Sequence, residues 1–332
     1  MTSPLRAVQI GAGSFCEQFH APTLKRLSQG DTARISLEGI CDLDQHRAQR
    51  FAKDFGYAHA WSDFHRMIDD VHPDVIYVMV QPAATAGIVS QLLPLGIPIF
   101  TEKPPGVTIQ QAETLAELAD RHKTINYVAF NRRAMPGLRR LQQWARSNAP
   151  IRYVRAEMLR NRRLEPEFGI GTAIHPLDCL RFLCGEVSSV ETRCNRYPDS
   201  AARDFYVRLQ FESGLIADLA VLVDCGTIRE RYLVQLANRS MEVTLGYPYS
   251  SSAHAPGVSL YENDVLTTDA SGEIDPLITG GFAGEHNLFL DAACSGAMPT
   301  CCLQDARHSL RLAMAVHEEY SGPIDQFVSR TG

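Results

Sequence analysis

The 332-residue sequence predicts an α/β chain of two domains, an N-terminal doubly wound parallel sheet followed by an α+β domain with an open, mostly antiparallel sheet. Three observations carry that expectation. Up to about residue 130, short apolar, β-branched runs alternate with helical stretches, the pattern of a parallel sheet covered on both faces. Beyond it, runs with period-two alternation follow one another across turns such as Glu212-Ser213-Gly214, the pattern of antiparallel hairpins. The length also exceeds what one core ordinarily organises, and the division is placed between residues 124 and 125, giving domains 1–124 and 125–332.

In the first domain, residues 6–10 form a short apolar strand, followed by Gly11-Ala12-Gly13-Ser14-Phe15-Cys16 and a helix to about Leu27. Strand, glycine turn and helix open a Rossmann dinucleotide-binding unit. Gly11 permits the tight turn, Gly13 lets backbone approach a pyrophosphate, and the helix N-terminus offers free N–H groups. Cys16 stands at the third glycine position, small enough for close helix-strand packing. Residues 35–41 give the second strand, ending in Asp42-Leu43-Asp44. A carboxylate there accepts the adenosine ribose hydroxyls and repels a 2′-phosphate, so Asp42 favours NAD over NADP. Alternatively, Asp42 or Asp44 caps the helix over 45–55. Arg47, one turn into that helix, keeps NADP open.

The alternation continues through a strand at 75–80, Gln81-Pro82, a helix over 84–95 and a strand over 97–100. That strand runs into Phe100-Thr101-Glu102-Lys103-Pro104-Pro105. Two prolines, with fixed φ and no N–H, stop it and stiffen the Glu102-Lys103 backbone. A helix over 109–122 and a strand over 126–130 complete the sheet. Ligands of such sheets bind at the strand C-termini, so Gly11, Asp42, Gln81 and Lys103 line one edge. Taken alone, Lys103 reads equally as a solvated residue on a capping turn.

In the second domain, Asn131-Arg132-Arg133 precedes a helix over 136–146, and strands follow at 151–159, 187–196, 204–211, 215–223, 231–236 and 240–245. One face of such a sheet packs and the other is available for association. Between the first two strands, Gly169-Ile170-Gly171-Thr172-Ala173-Ile174-His175-Pro176-Leu177-Asp178 leads into a helix from about Thr172, with His175 and Asp178 on one face. His175 reads either as a proton donor or as a packed core residue, and no metal-ligand spacing accompanies it. Two further helices, 284–296 and 303–320, carry apolar stripes at helical spacing.

Composition narrows the partners. Hydrophobic residues at 45% and charged residues at 21% are those of a globular protein, and a formal charge of −6 provides no basic field for nucleic acid or anionic lipid. Nine cysteines without a CxxC pair, and an opening Met-Thr-Ser-Pro-Leu-Arg without an apolar leader, predict reduced thiols and a cytoplasmic location. No apolar run approaches the ~18 residues of a membrane span. Small molecules and copies of the chain itself, a homodimer or homotetramer through the second sheet, remain as partners.

The glycine turn at Gly11 and Gly13, Glu102-Lys103-Pro104 and His175-x-x-Asp178 fall in the order, and at about the spacings, of one family. The chain resembles the Gfo/Idh/MocA oxidoreductases, the group of glucose-fructose oxidoreductase and inositol dehydrogenase. That resemblance implies a Rossmann domain holding NAD(P), joined to an open-faced α/β domain, and a sugar-like substrate. It implies that Lys103 orients the reacting hydroxyl or carbonyl, that Glu102 lies near the nicotinamide ribose, and that His175 is the general acid/base with Asp178 on the substrate side. Ser14, Phe15, Gln81, Pro82 and Asn131 join the cofactor set, and Arg133 the substrate set. Arg160-Asn161-Arg162-Arg163, read as a loop facing the substrate, offers Arg160 and Arg163 to a carboxylate or phosphate; read blandly, it is a solvated basic turn balanced by Glu165 and Glu167. One departure matters. Gly171 and Ala173 occupy positions where the family often has Asp and Gly, which removes an orienting acid and points away from inositol-type substrates. The implied activity is dehydrogenation of a secondary alcohol, or reduction of its ketone, on a sugar, cyclitol or derivative. An NAD-dependent glycosidase of the same family and a catalytically silent sugar sensor stand as alternatives.

Overall fold

The computed structural model describes residues 3–148, 150–198, 200–246, 256–269 and 275–330. The chain divides into two compact units: Met1–Ala129 with Phe282–Arg307, and Phe130–Gly281 with His308–Gly332. The sequence places a single cut between residues 124 and 125. The first unit instead runs on to Ala129, because its last strand is Asn126–Val128, and it takes back Phe282–Arg307. The cause of that return is packing: Phe289, on helix Phe282–Ser295, meets Tyr77 and Phe100 at ring-centroid distances of 5.4 and 5.6 Å.

The first unit holds six parallel strands, β1 (Leu5–Ile10), β2 (Ile35–Cys41), β3 (His59–Trp61), β4 (Val75–Val78), β5 (Ile99–Thr101) and β6 (Asn126–Val128), in the order β3-β2-β1-β4-β5-β6. Every residue of β4 is buried, as a strand covered on both faces requires. Strand order reverses at β1 and β4, so the crevice lies outside their carboxyl ends. β3 and the helix Phe64–Val71 were not foreseen, since three residues carry no readable alternation.

The helix after the glycine turn is not uniform. Cys16–His20 is a π turn, in which the Ala21 N–H reaches the Cys16 carbonyl, and an α-helix runs over Ala21–Leu27. Pro22 explains the break, because it has no N–H to continue the ladder. Asp44 caps the next helix, Gln45–Phe55, accepting from the His46 and Arg47 N–H groups. Asp42 is thereby released from that duty.

The second unit holds β7 (Tyr153–Leu159), β8 (Val187–Arg196), β9 (Arg203–Phe211), β10 (Ile216–Leu222), β11 (Arg229–Gln235), β12 (Arg239–Thr244), β13 (Gly257–Glu262), β14 (Val265–Asp269) and the short β15 (Gly322–Pro323). Their order is β14-β13-β12-β11-β7-β10-β9-β8-β15, antiparallel throughout except for β7 against β10. Along β9, Phe205, Val207, Leu209 and Phe211 are buried while Tyr206 and Arg208 point outward. Helices Pro136–Asn148 and Ile174–Cys184 pack against this sheet. β14 had no alternation to read, since Val265 and Leu266 are both exposed. No helix among the described residues is long and apolar enough to cross a membrane.

Candidate functional site

In the first unit the glycine turn leaves β1 where the backbone has no room. Gly11 has φ +99°, and a Cβ there would sit 2.3 Å from the Met79 carbonyl oxygen at the end of β4. Only glycine fits. Gly13 differs, because a Cβ there would meet nothing within 4 Å. Its small size answers no contact among the described residues and leaves open space beside the turn. Cys16 fills the third position as a buried packing residue; burial, then the neighbouring Glu102 charge, pushes its thiol pKa far up, and Sγ accepts from Gln9 Nε2 at 3.2 Å.

Asp42 closes the other side of the turn. Its Oδ2 accepts the Ala12 N–H at 2.9 Å, its Oδ1 accepts the Asp44 N–H at 3.0 Å, and Arg47 Nη1 lies 3.5 Å away. A cleft of about 570 Å³ opens here, lined by Gly13, Ser14, Phe15, Gln81, Pro82, Glu102 and Lys103, with Arg47 and Arg50 along its edge. Seven of the sequence-predicted residues thus share one wall. The open space at Gly13, the carboxylate of Asp42 and the glycine turn fit a dinucleotide, whose pyrophosphate would lie over Gly13 with its adenosine towards Asp42 and Arg47. Such a cofactor would direct its nicotinamide towards Glu102 and Lys103.

Glu102 is the most constrained member. Its Oε1 accepts from His20 Nε2 at 2.6 Å and its Oε2 from the Lys103 N–H at 3.0 Å. Burial raises its pKa, but the His20 hydrogen bond, the His20 and Lys103 charges and the Lys103 N–H outweigh that and hold it below the usual carboxylate range. Sequence reasoning missed His20. Its position two residues before Pro22, in the π turn, was the available signal.

The second unit holds the remaining residues. His175, on the first turn of helix Ile174–Cys184, is buried, its ring edge-on to Phe130 at 6.1 Å. Asp178 does share its face, but it is fully buried: Arg133 donates to it through Nε at 2.8 Å and Nη2 at 2.6 Å, and Ser309 Oγ donates at 2.7 Å. Asp178 and Arg133, two of the four residues assigned to substrate, are therefore bound to each other. Two-pronged pairing is what makes a buried charge tolerable.

Arg160 likewise is not on a solvent-facing loop. It is 1% exposed and donates to Glu230 at 2.6 Å, opposite Arg132, whose Nε donates to the same carboxylate at 3.0 Å. Arg163 is more open; its Nε donates to Glu165 at 2.7 Å, its Nη2 to Thr172 Oγ1 at 3.0 Å, and its guanidinium covers Phe168. Asn131, assigned to the cofactor, spends its amide on the Gly280 carbonyl at 2.8 Å and accepts from Arg132. A Cβ at Gly171 would meet nothing within 4 Å, so no packing demand keeps that position small.

Comparison with known proteins agrees with this geometry. Residues 5–130 match the Gfo/Idh/MocA family model, described as an oxidoreductase family with an NAD-binding Rossmann fold. The D-glucoside 3-dehydrogenase of Escherichia coli (strain K12) is 31% identical over 118 residues, 36% of this chain and 32% of that protein. The match thus spans about a third of that relative's length. Among solved structures, an oxidoreductase from Agrobacterium radiobacter in complex with NAD+, L-tartaric acid and magnesium has a TM-score of 0.82 at 17% identity, over 98% of this chain and 100% of that one. The UDP-N-acetylglucosamine 3-dehydrogenase of Acidithiobacillus ferrooxidans has a TM-score of 0.80 at 20% identity, over 96% and 98%. At these identities both show the fold. Residues 5–130, which hold the six-stranded parallel sheet and its glycine turn, are thus similar to the NAD-binding Rossmann domain of the Gfo/Idh/MocA oxidoreductase family.

Proposed function

We propose that this protein is an NAD-dependent dehydrogenase transferring a hydride between nicotinamide and a secondary alcohol, or its ketone, on a sugar, cyclitol or sugar derivative. The observation that carries the reading is the single cleft that joins the glycine turn to Glu102 and Lys103. When bound, the nicotinamide supplies the hydride acceptor or donor. Lys103 supplies an ammonium that polarises the reacting oxygen, and His175 an imidazole that takes or returns the hydroxyl proton. Arg133 and Asp178 support this by fixing the helix that carries His175 rather than by touching substrate. Arg163, less buried than Arg160 though held by Glu165 and Thr172, is the residue for an anionic substituent.

Two relatives act at the 3-position of a glucoside and of a UDP-N-acetylglucosamine. Glucosides and nucleotide sugars therefore lead the substrate panel. Asp42 favours NAD, and the paired Arg47 weakens rather than abolishes discrimination against NADP. Nine thiols without a disulfide support a cytoplasmic location, and the outward face of the second sheet, carrying Tyr206 and Arg208, supports association of copies into a dimer or tetramer. The test is fluorescence titration with NADH and NADPH, followed by a panel of glucosides, nucleotide sugars, cyclitols and sugar acids monitored at the nicotinamide absorbance. Saturable NADH binding with turnover of at least one panel member is the expected result. Binding of neither cofactor overturns the reading.

A further inference from the structure

Behind the cleft wall lies a cluster that the proposed reaction does not use. His20, Glu285 and His286 are 1%, 0% and 0% exposed, and each offers a ligand-type atom within 4.8 Å of the others. They sit among rings: His286 stacks on Phe100 at 4.6 Å, and His20 stands edge-on to Phe282 at 5.3 Å. Two hydrogen bonds link them to the cleft. His286 Nε2 is 3.0 Å from His20 Nδ1, and His20 Nε2 is 2.6 Å from Glu102 Oε1.

Proton accounting orders this chain. An ionised carboxylate only accepts, so His20 Nε2 carries a hydrogen. Burial, then the His20 charge, pushes the His286 pKa well below its ordinary value, so His286 is neutral. The 3.0 Å contact then holds one proton, donated either by His286 Nε2 to a neutral His20 or by an imidazolium His20 to His286. Either way His20 keeps its donor on Glu102. A metal ion between the two facing ring nitrogens is disfavoured, since two nitrogens on one zinc stand about 3.3 Å apart with both lone pairs turned to the ion, whereas these are within hydrogen-bonding distance.

We infer that His20, backed by His286, is a positioning residue that fixes the Glu102 carboxylate as an anion on the cleft wall and so biases the site towards the oxidised cofactor. The oxidised nicotinamide ring carries a positive charge and the reduced ring does not, so a fixed anion at that end of the cleft favours the first over the second. The inference rests on the reading of the cleft as a nicotinamide site.

The groups facing Glu102 are His20 and Cys16 from the turn after β1 and Lys103 from its own turn, with His286 and Glu285 behind His20 from helix Phe282–Ser295. Without His20, burial has less to oppose it and Glu102 ionises at higher pH. The test is the ratio of Kd for NAD+ to Kd for NADH, with ADP-ribose as a control that lacks the ring. In His20→Phe the ratio is expected to rise at least about fivefold near neutral pH and to return towards wild type as pH rises, with ADP-ribose affinity unchanged. Glu102→Gln, which removes the charge directly, should give the same shift without the pH dependence. His20→Gln, which keeps a donor, should restore most of the wild-type ratio. Should His20→Phe not fold, the smaller His20→Leu, which also lacks a donor, takes its place. An unchanged ratio in the His20 variant without a donor or in Glu102→Gln, or an equal loss for all three ligands, overturns the inference while leaving the cofactor reading intact. Failure of wild-type protein to bind any of the three overturns both. One equivalent of transition metal in the purified protein, lost in His286→Phe, also overturns it by making the cluster a metal site.

Discussion

Two side chains of the first unit bear on the proposed reaction most directly. Lys103 follows β5 beside Glu102 in the cleft lining, where in the proposed reaction an ammonium would act on an oxygen that gains charge during hydride transfer. Lys103→Met is expected to lower kcat by roughly 10² or more with the NADH Kd little changed, the pattern of a lost transition-state contact. Steady-state kinetics beside the binding titration check it, and wild-type turnover sinks the mechanism. Asp42 is argued from a different balance. Its carboxylate holds the Ala12 N–H and faces Arg47, so Asp42→Ala removes the repulsion of a 2′-phosphate and frees a guanidinium to meet one. NADH affinity should fall about tenfold and NADPH affinity rise, as two fluorescence titrations would show. The placement of both residues was legible in the sequence because each follows a strand whose apolar run is plain. The substrate-side assignments were not. Arg133, Arg160 and Asp178 are charged residues near a glycine-rich segment, and sequence cannot tell a charge that meets a ligand from one that meets a buried partner of opposite sign.

At the scale of elements, the Arg132-Glu230-Arg160 cluster ties β11 to the end of β7 and to the turn Asn131–Ala134. Burial raises the Glu230 pKa, but the two guanidinium groups more than reverse it, bringing it down to about 2. A depressed carboxylate contributes stability that is fully present above its unfolded value and is lost as pH falls through its folded value. The window here runs from the ordinary 4.5 down to about 2. Glu230→Gln leaves two buried cations short of an anion and should cost roughly 3 kcal/mol or more at neutral pH. Urea unfolding of variant and wild type at pH 7 and at pH 3 measures it, and the gap between them should narrow at the lower pH. A constant gap would mean that packing, not charge, holds the cluster. The elements themselves were readable wherever a pattern ran for several residues. The π turn at Cys16–His20 escaped because its cause, the missing N–H of Pro22, acts one turn earlier on a helix whose apolar spacing looks continuous.

At the scale of the molecule, the first unit is not contiguous in sequence. The spacing of Phe289 and Leu290 identifies a helix but not the sheet that receives it, so the return of Phe282–Arg307 could not be read from periodicity. Its consequence can be tested. Tyr77, Phe100 and Tyr127 are each at most 1% exposed; Phe100 is covered by His286 and Phe289, Tyr77 lies against both, and Tyr127 stacks on Phe100 at 5.3 Å. Helix Phe282–Ser295 also ties Arg34 through Asn287 and Asp291. A fragment of residues 1–129 would turn the Tyr77 and Phe100 rings to water at about 2 kcal/mol apiece, a large part of the 5–15 kcal/mol that holds a typical domain. It should therefore be aggregated or molten. The same segment joined by a flexible linker to residues 282–307 should fold cooperatively and bind NADH, as circular dichroism melting and titration would show. Cooperative folding of residues 1–129 alone would mean that the six-stranded sheet is self-sufficient and that the returning helix serves only to seat His286 behind Glu102.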